Sequence, residues 1–263
     1  MSSSFELAVR QLDYWATVYR RTWKGTVVSS FVNPLLYVLA MGVLLGGFIP
    51  GDPARLEGAP TYLAFIAPGL LAAQSMQTAV GETTYPVMSM VKWQKVYFGM
   101  QATPLRPVDL VNAHLGFIIF RLAMTSAVFA AVLAPFDVYH SLLGAVGAWL
   151  VAVLVGVAIG LPVYAFAAGA PDESSFALVF RLGVIPQFLF SGAFFPIQSL
   201  PNAIQWLAYL TPVWHGVELC RNLILGTVEW WADLGHLAYL VLWMVAGWAL
   251  ARWSFGVRLA EGA

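Results

Sequence analysis

Charged side chains are scarce in this sequence, and those buried in apolar runs carry most of its chemical potential. Glu82, Arg121 and Arg181 each fall within a stretch long enough to cross a bilayer. Glu218 and Arg221 fall in a proline-broken apolar stretch between residues 191 and 226. An arginine at mid-bilayer costs at least about 2.5–3.5 kcal/mol on insertion scales, so it faces protein or water and takes a partner. Matching depths predicts that Glu82 pairs with Arg181, and Arg121 is expected to reach Glu218. Ion pairing of this kind either holds helices together or lines a path for cargo, and the spacing fits both.

Bond-making chemistry has little support. An intramembrane enzyme would use Ser191 or His215, but no G-x-S-x-G surrounds the serine and no base is spaced beside it. The histidines at 114, 140, 215 and 236 lack metal-ligand spacing. The single cysteine, Cys220, cannot form an internal disulfide and reads as a small apolar filler. No G-x-x-x-x-G-K-S/T occurs, so this chain is not expected to cradle ATP phosphates. A net charge of zero, without basic clusters among aromatics, gives nucleic acid no electrostatic footprint.

The elements that position these residues follow from composition. Apolar side chains make up 60% of the 263 residues and charged ones 10%, against about 25% charged in soluble domains. This predicts an all-α integral membrane protein. Six stretches reach the roughly 20 apolar residues that a spanning helix needs: 26–49, 62–85, 108–133, 142–168, 176–194 and 234–255. The first follows Arg10, Arg20, Arg21 and Lys24 and is too long for a signal-peptide core, so it is expected to be a retained helix. With both termini cytoplasmic, nine of the 13 basic residues fall inside, as the positive-inside rule asks.

Two segments are amphipathic. In residues 1–25, Phe5, Ala8, Leu12, Trp15, Tyr19 and Trp23 recur at spacings of three and four, opposite Arg10, Asp13, Thr17, Arg21 and Lys24. This is a helix suited to the inner membrane surface, as an interfacial element or a plain anchor. Residues 90–103 place Lys92 and Lys95 a turn apart beside Trp93, Val96 and Tyr97, and end at Thr103-Pro104. The next cytoplasmic loop, 169–175, carries Asp172 and Glu173, which are expected to cap the following helix.

The stretch after the fifth span cannot cross as one helix, because Pro196, Pro201 and Pro212 would leave backbone groups unsatisfied in lipid. Residues 195–226 are therefore expected to dip into the membrane from outside and return. Phe194, Phe195 and Pro196 turn the chain, short helices follow Pro201 and Pro212, the second bears Glu218 and Arg221, and Gly226 caps it.

The order SG-x-FFP, LP, a Pro break and a Glu–Arg helix ending in Leu-Gly resembles the permeases of type-2 ABC exporters, which include nodulation-factor and daunorubicin-resistance permeases. The resemblance covers the helix order of the whole chain. It implies that the helix within 90–103 is a coupling helix docking into an ATPase, with Lys92, Trp93, Lys95, Val96, Tyr97 and Thr103 at the contact. The N-terminal helix, with Arg20 and Arg21, would contribute to it. It further implies two copies of a separate ATP-binding cassette subunit carrying ATP and magnesium, this chain holding no cofactor. A second permease copy, as homodimer or paralogous heterodimer, would meet it along helices 1 and 5. Phe194, Phe195, Pro196, Pro201, Pro212, Glu218 and Arg221 would form an outer gate in a bacterial inner membrane. The expected cargo is an amphipathic lipid, glycolipid or hydrophobic drug. A gradient-driven transporter or channel is the alternative, and an intramembrane enzyme a remote one.

Overall fold

The computed structural model describes residues 4–49 and 52–260. Residues 1–3 of the expected N-terminal helix, and the side chains of Phe5, Ala8, Arg10 and Leu12, lie outside the described residues. All regular structure among the described residues is helical. In chain order the helices are α1 (Ser4–Tyr37), α2 (Tyr62–Thr83), α3 (Tyr85–Met88), α4 (Val96–Gln101), α5 (Pro107–Leu133), α6 (Leu142–Gly169), α7 (Ser175–Leu178), α8 (Ile185–Phe190), α9 (Asn202–Tyr209), α10 (Pro212–Leu225) and α11 (Trp230–Ala260). Among the described residues, five helical stretches are long and apolar enough to cross a membrane: Trp23–Leu45, Tyr62–Trp93, Pro107–Phe136, Leu142–Gly169 and Trp230–Ala260.

Helix α6 is the spine, packing against α2, α5, α10 and α11. It can approach α2, α5 and α10 because small residues recur at every fourth position along it, Gly144, Ala148, Ala152, Gly156 and Gly160, while α11 closes on Leu161 and Pro162 through its own Gly247. Such stripes let helix backbones come close where no hydrophobic effect drives helices together in lipid. At Gly156 a Cβ would lie 2.7 Å from Ser75 Oγ and 2.8 Å from Leu122 Cδ2, so α2 and α5 both close on that glycine. Two apolar cores stack along the spine. One gathers Phe65, Leu71, Phe129, Val213, Val217 and Cys220 at the α10 end. The other gathers Trp15, Tyr97, Leu122, Tyr164, Phe176 and Phe255 at the α4 end.

Three expected boundaries move. No break falls at residue 25: α1 runs unbroken through Gly25 and continues as a π-helix over Val38–Leu45. A lone glycine costs about 1 kcal/mol relative to alanine in a helix, which the packing of α1 on α5 offsets. The expected single helix within 90–103 is split. A π-turn over Ser89–Trp93 follows α3, Lys95 takes a left-handed conformation (φ 52°), and α4 then starts at Val96. The expected fifth span, 176–194, is a shorter helical rod over Ser175–Phe190, wide-turned between Val179 and Val184. Pro186 has no N–H to give the preceding turn, and the π-widening accommodates the missing bond.

Of the expected caps, Asp172 and Gly226 take their places, whereas no capping bond from the Glu173 side chain is formed among the described residues. Asp172 accepts bonds from the Ser174 hydroxyl at 2.7 Å and from the Ser175 backbone N–H and hydroxyl, both at 3.1 Å. These bonds, the one from Ser174 first, hold its carboxyl below the usual carboxylate range. Gly226 ends α10 in the left-handed conformation at φ 76°.

Candidate functional site

Two charge clusters and one buried polar cluster sit at different levels of the bundle. At the α10 end, Arg221 is almost wholly enclosed, with 2% of its side chain exposed. Its Nη1 donates to Glu57 Oε2 and to Glu218 Oε1, both at 2.7 Å. Its Nη2 donates to the Gly192 carbonyl at 2.6 Å, and the guanidinium lies 4.4 Å over the Phe65 ring. One side chain thus ties α10 to the loop before α2, to α2 itself and to the turn that ends the 175–190 rod. Arginine suits this post because its planar fork offers several fixed donors at once.

The surrounding backbone is equally close. Gly69 of α2 faces Ala193, whose Cα would lie 2.5 Å from a Cβ at position 69. The Tyr62 hydroxyl donates to the Phe194 carbonyl at 3.1 Å, and Phe194 meets Phe188 edge-on at 4.9 Å. Pro212 is buried at the start of α10, Phe195 and Pro196 are half-buried, and Pro201 is exposed before α9. Ser191 is buried with no hydrogen-bond partner for its hydroxyl. His215 instead spends its nitrogens on His236 Nδ1, 2.7 Å away, and the Tyr209 carbonyl at 3.0 Å. No serine–histidine couple is formed.

The second cluster corrects the expected pairings. Glu82 pairs with Arg121: Nη2 lies 2.5 Å and Nε 3.1 Å from Glu82 Oε1. Arg181 is exposed and no acidic side chain pairs with it among the described residues. Glu218 belongs to Arg221 three residues on, not to Arg121. Depth counted along isolated helices missed this because α5 packs directly on α2, whereas the 175–190 rod turns Arg181 outward. A double-mutant cycle with Glu82→Gln and Arg121→Gln is expected to show coupling of about 1–3 kcal/mol in thermal unfolding. Coupling of Glu82 to Arg181 instead, in the parallel cycle, would contradict the geometry.

At the α4 end, Tyr97 is fully buried. Its hydroxyl lies 2.6 Å from His114 Nδ1 and 3.0 Å from the Tyr164 hydroxyl. Trp15 of α1 stacks on His114 at 4.1 Å, and Phe255 of α11 packs on both tyrosines. Position 97, expected at a docking surface, is therefore the root of α4 in the bundle: α1, α5, α6 and α11 all converge on it. Lys92 donates to the Pro171 carbonyl and joins the two loops at this end. Trp93, 55% exposed, stands out with Lys95 and Thr103, and Val96 is half-buried. Arg20 and Arg21 are both exposed, and Arg20 lines a cleft between α1 and α5.

Sequence reasoning missed Glu57 and His114. Glu57 lies in a polar loop, and only its position before Gly58 marks a turn; its positive φ of 50° shows in the structure alone. His114 sits in an apolar helix, where a lone histidine gives no spacing signal.

A bundle with five membrane-length helices among the described residues, tied by buried ion pairs, is the architecture of a helical membrane protein. The chain belongs to the ABC-2 type transporter family, whose profile matches residues 12–225. It is 29% identical over 248 residues to Nodulation protein J of Rhizobium leguminosarum bv. trifolii, covering 90% of this chain and 92% of the relative. Nodulation protein J of Bradyrhizobium diazoefficiens is 28% identical over 250 residues, with 90% and 92% covered. A daunorubicin resistance ABC transporter permease protein of Streptomyces coeruleorubidus is 26% identical over 225 residues, covering 84% of this chain and 74% of the relative. The chain is thus a multi-pass ABC transporter permease, and its family implies an ATP-binding cassette partner.

Proposed function

We propose that this permease exports an amphipathic cargo, a lipid, glycolipid or hydrophobic drug, outward across a bacterial inner membrane, driven by ATP on a separate subunit. The observation that carries the reading is α4: a six-residue helix rooted through Tyr97 in the bundle, with Trp93 and Lys95 exposed beside it. A rooted helix transmits a push from a docked partner where a loose loop would absorb it. Both chain ends and α4 face the cytoplasm in this reading, in keeping with the lysines and arginines gathered there. Two ATPase copies carrying ATP and magnesium dock at Trp93, Lys95 and Thr103, with Arg21 contributing from α1.

The Ser175–Phe190 rod is the fifth of six spans. Its 16 residues rise about 24 Å, short of the roughly 30 Å hydrocarbon core. The turn through Phe195 completes the distance, and α9 and α10 form the re-entrant outer hairpin. Leu178, Leu182, Ile185 and Leu189 form an exposed apolar stripe along the rod, fit for a second permease copy, identical or paralogous. Phe188, Phe190, Phe194, Phe195, Trp206 and Trp214 crowd its outer end and suit amphipathic cargo. The daunorubicin resistance relative is in keeping with such a cargo.

Inside-out vesicles holding this chain and its ATPase test the reading. Uptake of a fluorescent amphipathic probe is expected with ATP and without a proton gradient. Uptake that follows the gradient and ignores ATP would leave the secondary-transporter alternative.

A further inference from the structure

Between α1 and α5 lies a cleft of about 400 Å³, lined by Ala16, Tyr19, Arg20, Gly116, Phe117 and Phe120. Its walls are apolar and aromatic, with Tyr19 edge-on to Phe117 at 6.2 Å and to Phe120 at 5.7 Å. Arg20 is its only charged lining residue among the described residues, and no acidic side chain pairs with it there. Glu82 is already taken by Arg121, whose guanidinium lies 5.2 Å from the Tyr19 ring.

The level of the cleft follows from α1. The membrane-length stretch of that helix begins at Trp23, three residues after Arg20, or about 4.5 Å along the helix. Arg20 therefore sits where acyl chains meet headgroups, in the leaflet on the side where Trp15 of the same helix stacks near the α4 root. A long cationic side chain at that level reaches for the headgroups while its stem stays in apolar surroundings.

We infer that this cleft binds one anionic phospholipid of that leaflet, its phosphate on Arg20 and an acyl chain along Phe117 and Phe120. Charge complementarity selects the occupant: a cation at the mouth of an apolar slot matches a phosphate joined to a hydrocarbon chain. A zwitterionic lipid brings a compensating ammonium and gains less. The lipid wedges α1 against α5, beside the Trp15–His114 stack that leads to Tyr97 and α4. The inference rests on the proposed membrane placement and not on ATP coupling.

The test is native mass spectrometry of the full chain, with any co-purifying ATPase, released from nanodiscs of equal phosphatidylglycerol and phosphatidylcholine without nucleotide. Wild type is expected to retain phosphatidylglycerol preferentially. Arg20→Gln should lower that retention about fivefold, the effect of one basic residue at a membrane surface, and Arg20→Lys should keep most of it. Arg21→Gln, one residue away and outside the cleft, should leave retention unchanged. Retention by Arg20→Gln at the wild-type level, or an equal fall in Arg21→Gln, would overturn the site, the latter by showing general surface attraction. A structure of the assembled complex with a second copy or the ATPase filling the cleft would also overturn it. None of these lipid-retention results bears on whether ATP drives uptake, which the vesicle assay reads separately.

Discussion

Arg221→Met is expected to destabilise the folded chain by about 3 kcal/mol, the low end of the cost of removing one partner from a buried ion pair. The low end applies because Glu57 and Glu218 keep 22% and 23% of their side-chain surface exposed and water can reach them after the loss. Methionine keeps the stem packing over Phe65 but returns none of the three bonds, to Glu57, Glu218 and the Gly192 carbonyl. Differential scanning fluorimetry in mild detergent should show the midpoint fall, and size-exclusion chromatography a loss of monodisperse protein. Arg221→Lys keeps the charge without the planar fork and should fall between the two. A wild-type midpoint for Arg221→Met would mean that the cluster does not hold α10 to the loop before α2.

Gly69→Ala is expected to cost about 1–3 kcal/mol, the range for overpacking a filled interior. The added Cβ would lie 2.5 Å from Ala193 Cα, 2.6 Å from its Cβ and 2.8 Å from its carbonyl oxygen. Backbone cannot rotate away as a side-chain tip can, so the turn through 191–193 must move. That turn carries the Gly192 carbonyl that Arg221 grips. The two substitutions therefore share a contact, and Gly69→Ala with Arg221→Met should cost less than their sum. Strict additivity in the same fluorimetric assay would separate the glycine contact from the arginine cluster and contradict the shared turn.

Much of the fold is legible in the sequence because a bilayer-length helix announces itself through length and apolarity. Five of the six expected stretches appear as helices long and apolar enough to cross a membrane. The sixth, with Arg181 and Pro186 inside it, is shorter and wide-turned: apolarity shows where a segment belongs, whereas a proline's local effect depends on its neighbours. The Pro-marked starts of α9 and α10 and the Gly226 cap were readable from residue type, since each rests on a backbone preference local to a few residues.

The charge partners were not readable, because which helices adjoin is a property of packing. Glu82 meets Arg121 only because small residues on α6 draw α2 and α5 together, and Arg221 meets Glu57 across 164 residues. Tyr97 shows the same limit within one segment. Its spacing beside Trp93 and Val96 suggests one amphipathic face, but the left-handed turn at Lys95 breaks the helix between them and sends Tyr97 inward. A positive φ at lysine costs about 1–2 kcal/mol and leaves no mark in a single sequence.

In the proposed function an ATP-hydrolysing partner grips the α4 end of this permease. The most direct test of that grip is photo-crosslinking in native membranes, with a benzoylphenylalanine placed at Trp93 and, in a second strain, at the exposed Trp231 near the other end. The expected result is a single crosslinked band from position 93, identified by mass spectrometry as a polypeptide carrying G-x-x-x-x-G-K-S/T, and none from position 231. Crosslinks from position 93 to lipid or to this chain alone, in cells where the permease is expressed and folded, would contradict it.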